Sequence, residues 1–332
     1  MPGHSDHRTV GRSGLVVSAV GLGCNAFGER RDETESAAIV RAAFDAGITF
    51  FDTADSYGDG ASEAIIGRAL AGHRDDVVIA SKVGWDPRGA FGPGWQPRAA
   101  RSYILRSIEA SLTRLGTDHL DLYQLHMPDG VTPMEETLDT LSSLVDAGKV
   151  RYVGVCHLRA WELTNAWWTA RTRDLHPMVS LQTEYSLYNR RAEVDVLPAC
   201  AELGISVIPY FPLAAGLLTG RHRQGEVAAA DGRLATRSGR EWLAAADWAL
   251  LTDLSAFAES RGISMVSLAI GGLLARPEVA SVIAGASQVD QVAQNVAAAG
   301  WRPTAEDLTE LAAIEDRHAA GGLARYFTPG RF

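Results

Sequence analysis

At 332 residues, with 46% hydrophobic and 21% charged residues, the chain has the composition of a globular protein and the length of one large α/β domain. A net charge of −9 without any Lys/Arg block excludes nucleic acid and anionic membrane as partners, and no apolar run approaches the roughly 20 residues that cross a bilayer. Cys24, Cys156 and Cys200 are too scattered for a disulfide framework or a metal site, and the start of the chain lacks a secretory apolar segment, so a cytoplasmic location is expected.

Strand and helix signals alternate from about residue 18 to 300. Residues 18–23 read as the first strand and 32–46 as its helix; 48–52 as the second, with a helix from about Ser62. The third unit is 77–82 with a helix over about 98–115, and the fourth is 119–126 with a helix over 133–147. The fifth is 150–155 with a helix carrying Trp161, Trp167 and Trp168, and the sixth is 178–182 with a helix over about 190–203. Residues 205–210 begin the seventh unit, and 281–284 begin the eighth, followed by a helix through Asn295. Eight βα units in succession predict a (β/α)8 barrel with extended loops at the C-terminal face. No linker breaks the chain, so one domain is expected, with its core over about 10–302 and a C-terminal helix and tail over 303–332.

Three segments fall outside that count: the Gly/Pro-rich loop 86–97 around Trp95, the polar stretch 221–240, and the tail from Arg317. Loops at strand ends carry the binding specificity of a barrel. A dinucleotide-binding Rossmann turn is matched formally by Gly21-Leu-Gly23-Cys-Asn-Ala26. However, helix signals start only near Asp32, and the acidic residue Asp52 lies well beyond the expected interval of roughly 20 residues. The segment reads as a tight turn at a barrel mouth.

Three of the apolar runs end on ionisable side chains: Asp52, Lys82 and His126, with Tyr57 five residues after Asp52. In a parallel α/β barrel such positions converge on one face. Lys82 is one of only two lysines; Arg carries the remaining basic charge, and lysine is the cation whose charge is readily tuned by burial. A free tyrosine, with pKa about 10, is a weak acid at neutral pH. A nearby ammonium lowers that value, and a carboxylate holds the ammonium charged and oriented. A histidine donating to a substrate oxygen positions a carbonyl and stabilises developing negative charge. Asp52, Tyr57, Lys82 and His126 thus supply the groups for carbonyl reduction.

The segments Phe51-Asp-Thr-Ala-Asp-Ser-Tyr-Gly58, Ser81-Lys82, Gln124-Leu-His126, 148–154, Gln182-Thr-Glu-Tyr-Ser-Leu187 and 209–220 resemble the aldo-keto reductases over about residues 10–302. The resemblance implies an oxidoreductase that moves a hydride between NADP(H) and a carbonyl/alcohol pair, with Tyr57 as acid/base, Lys82 and Asp52 its tuning pair, and His126 orienting the carbonyl. Its implied cofactor-binding set begins with Gly23, Cys24 and Asn25 at the first strand end. Gln182 would bond the nicotinamide carboxamide, and Tyr210 would stack on its ring. Phe211, Pro212, Leu213, Ala214, Gly216, Leu218 and Gly220 would embrace the pyrophosphate. Gly285, Ala286, Ser287, Gln291 and Asn295 would take the adenosine end.

Asn25, Phe27, Trp85 and His126 are the candidate walls of the substrate pocket, together with Phe211. Two positions depart from the family: Cys156-His157 stands where Ser-Asn usually grips the carboxamide, and Gly285-Ala-Ser-Gln288 carries no cation for a 2′-phosphate. NAD(H) therefore stays open as cofactor. The alternatives are a nucleotide-sugar or enone-tailoring reductase, and a non-catalytic cofactor-binding barrel akin to potassium-channel β subunits.

Overall fold

The computed structural model describes residues 6–86, 96–225 and 233–318; Trp95 and the tail beyond His318 lie outside them. Eight parallel strands form one sheet. They are β3 (Val20–Gly23), β4 (Phe50–Asp52), β5 (Val78–Val83), β6 (Leu120–Leu125), β7 (Val150–Cys156), β8 (Met178–Glu184), β9 (Ser206–Tyr210) and β10 (Val282–Gly285). The order β10-β3-β4-β5-β6-β7-β8-β9 follows the chain except at β10, which pairs with β3. The remaining seam is closed by a parallel bridge between Val207 and Val279, with Val207 N–H donating to the Glu278 carbonyl at 2.8 Å. The sheet is therefore a (β/α)8 barrel.

All the described helices but one, Met265–Leu274, are amphipathic covers. After β3 comes α1 (Glu33–Asp45), started by a capping box in which Asp32 accepts from Glu35 N–H. Then come α2 (Ala61–Ala69), α3 (Arg101–Leu115), α4 (Met134–Asp146), α5 (Ala160–Thr172) and α6 (Val196–Leu203). Between β9 and β10 the chain adds α7 (Arg237–Ala244), α8 (Trp248–Ser260) and α9 (Met265–Leu274), a stretch in which the sequence reading placed no helix. α10 (Val289–Ala298) follows β10, and α11 (Ala305–His318) packs on α8. α9 is buried along almost its whole length, so it shows no polar face.

A short antiparallel hairpin, β1 (His7–Thr9) with β2 (Val16–Ser18), precedes the barrel. Its Val10, Leu15 and Val17 pack on the interior residues Phe50, Ala80, Leu122, Val179 and Ile208, so it plugs the amino-terminal end. The expected first strand over 18–23 is thus divided: Ser18 ends the hairpin and Val20 begins the barrel. At the same end, buried Asp121 joins three elements. Its carboxylate accepts from Ile79 N–H at 2.9 Å, and it pairs with Arg74 at 2.8 Å and Arg151 at 2.6 Å.

Candidate active site

Strand alternation decides which side chains meet at the opposite end. Phe50, Ala80, Leu122 and Ile208 share the barrel interior, and side chains two residues apart lie on one face of a strand. Asp52, Lys82, Gln124 and Tyr210 each stand two positions further on, one layer nearer the carboxyl-terminal mouth. His126 follows Gln124 by two, just past β6. Tyr57 comes from the turn after β4. That turn closes tightly: Gly58 sits at φ +56°, and a Cβ there would lie 2.8 Å from the Phe27 carbonyl oxygen.

The four expected catalytic side chains come together. Lys82, fully buried, places Nζ 2.7 Å from Asp52 Oδ2, 2.9 Å from the Thr53 carbonyl and 3.3 Å from Tyr57 Oη. Burial pulls the ammonium toward neutrality, but Asp52 and Tyr57 together carry its pKa above the ordinary lysine value, so it stays charged. For Tyr57 the balance differs from the sequence expectation. Burial pushes the phenol up to about 12, and the ammonium only offsets part of that rise. At neutral pH the hydroxyl therefore keeps its proton. Burial, then the charges of Lys82 and His157, hold His126 well below the usual imidazole pKa, so it is neutral. Its ring meets Tyr57 edge-on at 5.9 Å and Trp85 at 5.0 Å.

Asp52, Tyr57, His126 and Trp85 line a cleft of about 1160 Å³, whereas Lys82 is fully buried and does not reach it. Of the positions expected to hold a cofactor, Gly23, Cys24, Asn25, His157, Gln182, Tyr210, Phe211, Pro212, Leu213, Gly216, Gly285, Ala286, Ser287, Gln291 and Asn295 line it. Cys156, Ala214, Leu218 and Gly220 do not. Cys156, Ala214 and Leu218 are fully buried, and Gly220 is exposed at the end of the turn. Asn25, Trp85 and His126 line the cleft as candidate substrate walls, whereas Phe27 is fully buried in the core and does not reach it.

Cys156 Sγ approaches the Gln124 amide oxygen at 3.8 Å, and burial raises its thiol pKa far above the ordinary value. His157, at φ +58°, brings Nδ1 within 3.4 Å of Tyr210 Oη and stacks on His126 with centroids 6.1 Å apart.

The cleft also holds residues not named individually from the sequence, two of them, Arg221 and Arg233, from the polar stretch 221–240. Arg233, on a turn before α7, lies over the Phe211 ring at 4.6 Å. Burial and the nearby charge of Arg30 lower its pKa to about 10, still charged at neutral pH. Among the described residues no carboxylate forms an ion pair with it. Arg30, Arg31, Arg221 and Trp242 complete this wall. Nothing in the spacing of residues 30 and 233 marks them as neighbours, because the barrel closure alone brings them together. Gln124 did carry a signal: a polar amide inside an apolar strand, two positions before His126.

The model of the aldo/keto reductase family matches residues 19–316. The chain is 34% identical to a probable voltage-gated potassium channel subunit beta of Oryza sativa subsp. japonica, covering 88% of this chain and 90% of that protein. It is 34% identical to an L-glyceraldehyde 3-phosphate reductase of Escherichia coli O157:H7 (96% and 94% covered) and 31% identical to a probable aldo-keto reductase 1 of Glycine max (96% and 91%). With the barrel and its mouth so arranged, this chain belongs to the aldo/keto reductase family.

Proposed function

We propose that the protein is an NADP(H)-dependent reductase of an aldehyde or ketone, reversibly oxidising the corresponding alcohol, with Tyr57 as proton donor. The observation that carries this reading is a tyrosine hydroxyl 3.3 Å from a buried lysine Nζ, in ring contact with a buried histidine, at the wall of a cleft. The residues present fit a dinucleotide. The cleft exceeds the roughly 300–1,000 Å³ of common ligand pockets. Gln182 and His157 offer polar groups for a carboxamide, Tyr210 offers a ring face, and Arg221 and Arg233 offer cations for phosphates. The bound nicotinamide supplies the hydride.

The chain's own groups perform the rest. His126, neutral, donates to the carbonyl oxygen and fixes its direction. Tyr57 passes its proton to the same oxygen as negative charge develops there. Lys82 stabilises the phenolate left behind, and Asp52 keeps the ammonium in place. Trp85 and Trp242 give the cleft an apolar wall that favours a carbonyl compound with an apolar substituent.

The test is a panel of aldehydes, ketones and sugars assayed with NADPH and with NADH. Nucleotide oxidation dependent on a carbonyl compound and on Tyr57 supports the reading; no turnover with any compound overturns it. The likeness to plant potassium-channel β subunits favours a second reading, a dinucleotide-binding barrel acting in a complex. Tight nucleotide binding without turnover would select it.

A further inference from the structure

Two buried side-chain amides converge on a single oxygen of Asp52, from strands that are not neighbours of β4. Gln182 Nε2, on β8, lies 2.8 Å from Asp52 Oδ1, and Gln124 Nε2, on β6, lies 3.4 Å from the same atom. The other oxygen, Oδ2, belongs to Lys82. The orientation of Gln124 is fixed by chemistry at both ends. A carboxylate only accepts hydrogen bonds, so the amide nitrogen must face Asp52; the Cys156 thiol can donate, and it meets the amide oxygen at 3.8 Å. Gln124 is fully buried, where an amide without hydrogen-bond partners is strongly disfavoured. Cys156 therefore faces inward as the outer support of Gln124.

We propose that Gln124 and Gln182 are positioning residues, an amide clamp that fixes the Asp52 carboxylate and thereby sets how strongly the Lys82 ammonium acts on the Tyr57 hydroxyl. The inference rests on the proposed role of Tyr57 as proton donor. Three donors share the charge of Asp52. With fewer amides, more of that charge bears on Lys82, the pair tightens, and the ammonium favours the phenolate less. The charged and titratable groups around Tyr57 are Asp52 on β4, Lys82 on β5, Cys156 on β7 and Arg233 on the turn before α7, with His126 in ring contact. None but Asp52 is bonded by both amides. Gln182 also lines the cleft. Its amide thus touches the proton-donor network on one side and the cofactor space on the other, so occupancy of that space and the acidity of Tyr57 are linked.

The test uses the full chain and two readouts. The first is the pH dependence of affinity for oxidised dinucleotide, followed by tryptophan fluorescence without substrate. A cationic nicotinamide favours ionised Tyr57, so affinity rises where the phenol titrates. The second is the pH dependence of alcohol oxidation, in which Tyr57 must be ionised. Gln124→Leu should move both rises upward by about half a pH unit or more, since one unit corresponds to about 1.4 kcal/mol, while neutral-pH affinity stays within about twofold. Gln182→Leu should give the same shift together with weaker affinity. If Gln124→Leu does not fold, Cys156→Val supplies the test by releasing the amide, with Cys156→Ser as the rescue that restores the wild-type curve.

Superimposable pH curves in the wild type and the folded Gln124 or Cys156 variants overturn the clamp, whatever the rates. A wild type that binds nucleotide but turns over no substrate defeats the reductase reading, and the affinity curve still decides the clamp.

Discussion

The Lys82 ammonium lies 3.3 Å from the Tyr57 hydroxyl and 4.9 Å from the centre of its ring, so one buried cation addresses both the hydroxyl oxygen and the π face of the same side chain. Burial raises the phenol pKa and the ammonium lowers it, with burial the larger effect. Tyr57 therefore keeps its proton at neutral pH, as its proposed role of donor requires.

Replacing Tyr57 by Phe removes the donor and leaves the ring. Turnover should fall by about 10²–10⁴-fold, the usual contribution of a positioned acid, with nucleotide affinity within about twofold. Steady-state rates at saturating nucleotide and a fluorescence titration check both halves. Wild-type turnover would remove Tyr57 from its role.

Lys82→Met should act on both rate and stability. Without the ammonium, the phenol loses both the charge and the hydrogen bond of Lys82, each of which lowers its pKa, so the pH–rate profile for alcohol oxidation should move to higher pH. Asp52 would be left as a buried carboxylate without its cation, a loss of about 3–5 kcal/mol. Denaturant unfolding at neutral pH measures the second effect, and an unchanged midpoint with an unchanged profile would contradict both.

His126 gives a prediction of sign. Its folded pKa is depressed well below 6.5. Its contribution to stability is therefore present above the unfolded value near 6.5 and is lost as pH falls below it, at up to about 1.4 kcal/mol per pH unit. The wild type should lose stability more steeply than His126→Gln between neutral and mildly acidic pH. Parallel stability curves for the two proteins would show that the imidazole is not held neutral.

Asp121→Ala should destabilise the barrel by about 3 kcal/mol, because it leaves the Ile79 N–H buried without its acceptor and breaks the pairs to Arg74 and Arg151. The residue lies at the end remote from the cleft, so kcat should be unchanged below the melting range. Comparing thermal unfolding with turnover separates the two expectations; a kcat loss without a stability loss would place Asp121 in a different role.

Each of the eight barrel strands was legible because each is an apolar run bounded by turns, and the ionisable run-ends drew attention to Asp52, Lys82 and His126. The β1–β2 hairpin was not, since three-residue strands with exposed ends leave almost no alternation to read. α9 escaped notice because Met265-Val-Ser-Leu-Ala-Ile-Gly-Gly-Leu-Leu274 is apolar on every side and contains two glycines. Within the site, the tetrad was visible from strand ends, but its balance of charges was not. The ammonium beside Tyr57 reads as lowering its pKa, and only the depth of burial reveals the opposite net result. Cys156, read as a weak grip on a carboxamide, is turned to Gln124 by the alternation of β7, while its neighbour His157 faces the cleft.

Asp52, Tyr57, Lys82 and His126 come from β4, β5 and β6 and the turns after them, whereas Phe211, Arg233 and Trp242 come from the stretch after β9. That stretch leans on a separate apolar cluster of α8, α9 and α11. The proposed proton-transfer groups and this one wall of the cleft thus stand on different parts of the chain with different foundations. On the proposed function, changes in the stretch after β9 would reshape that wall and leave Asp52, Tyr57, Lys82 and His126 in place. A designer can do the same, grafting that cover from one barrel to another without redrawing the catalytic floor.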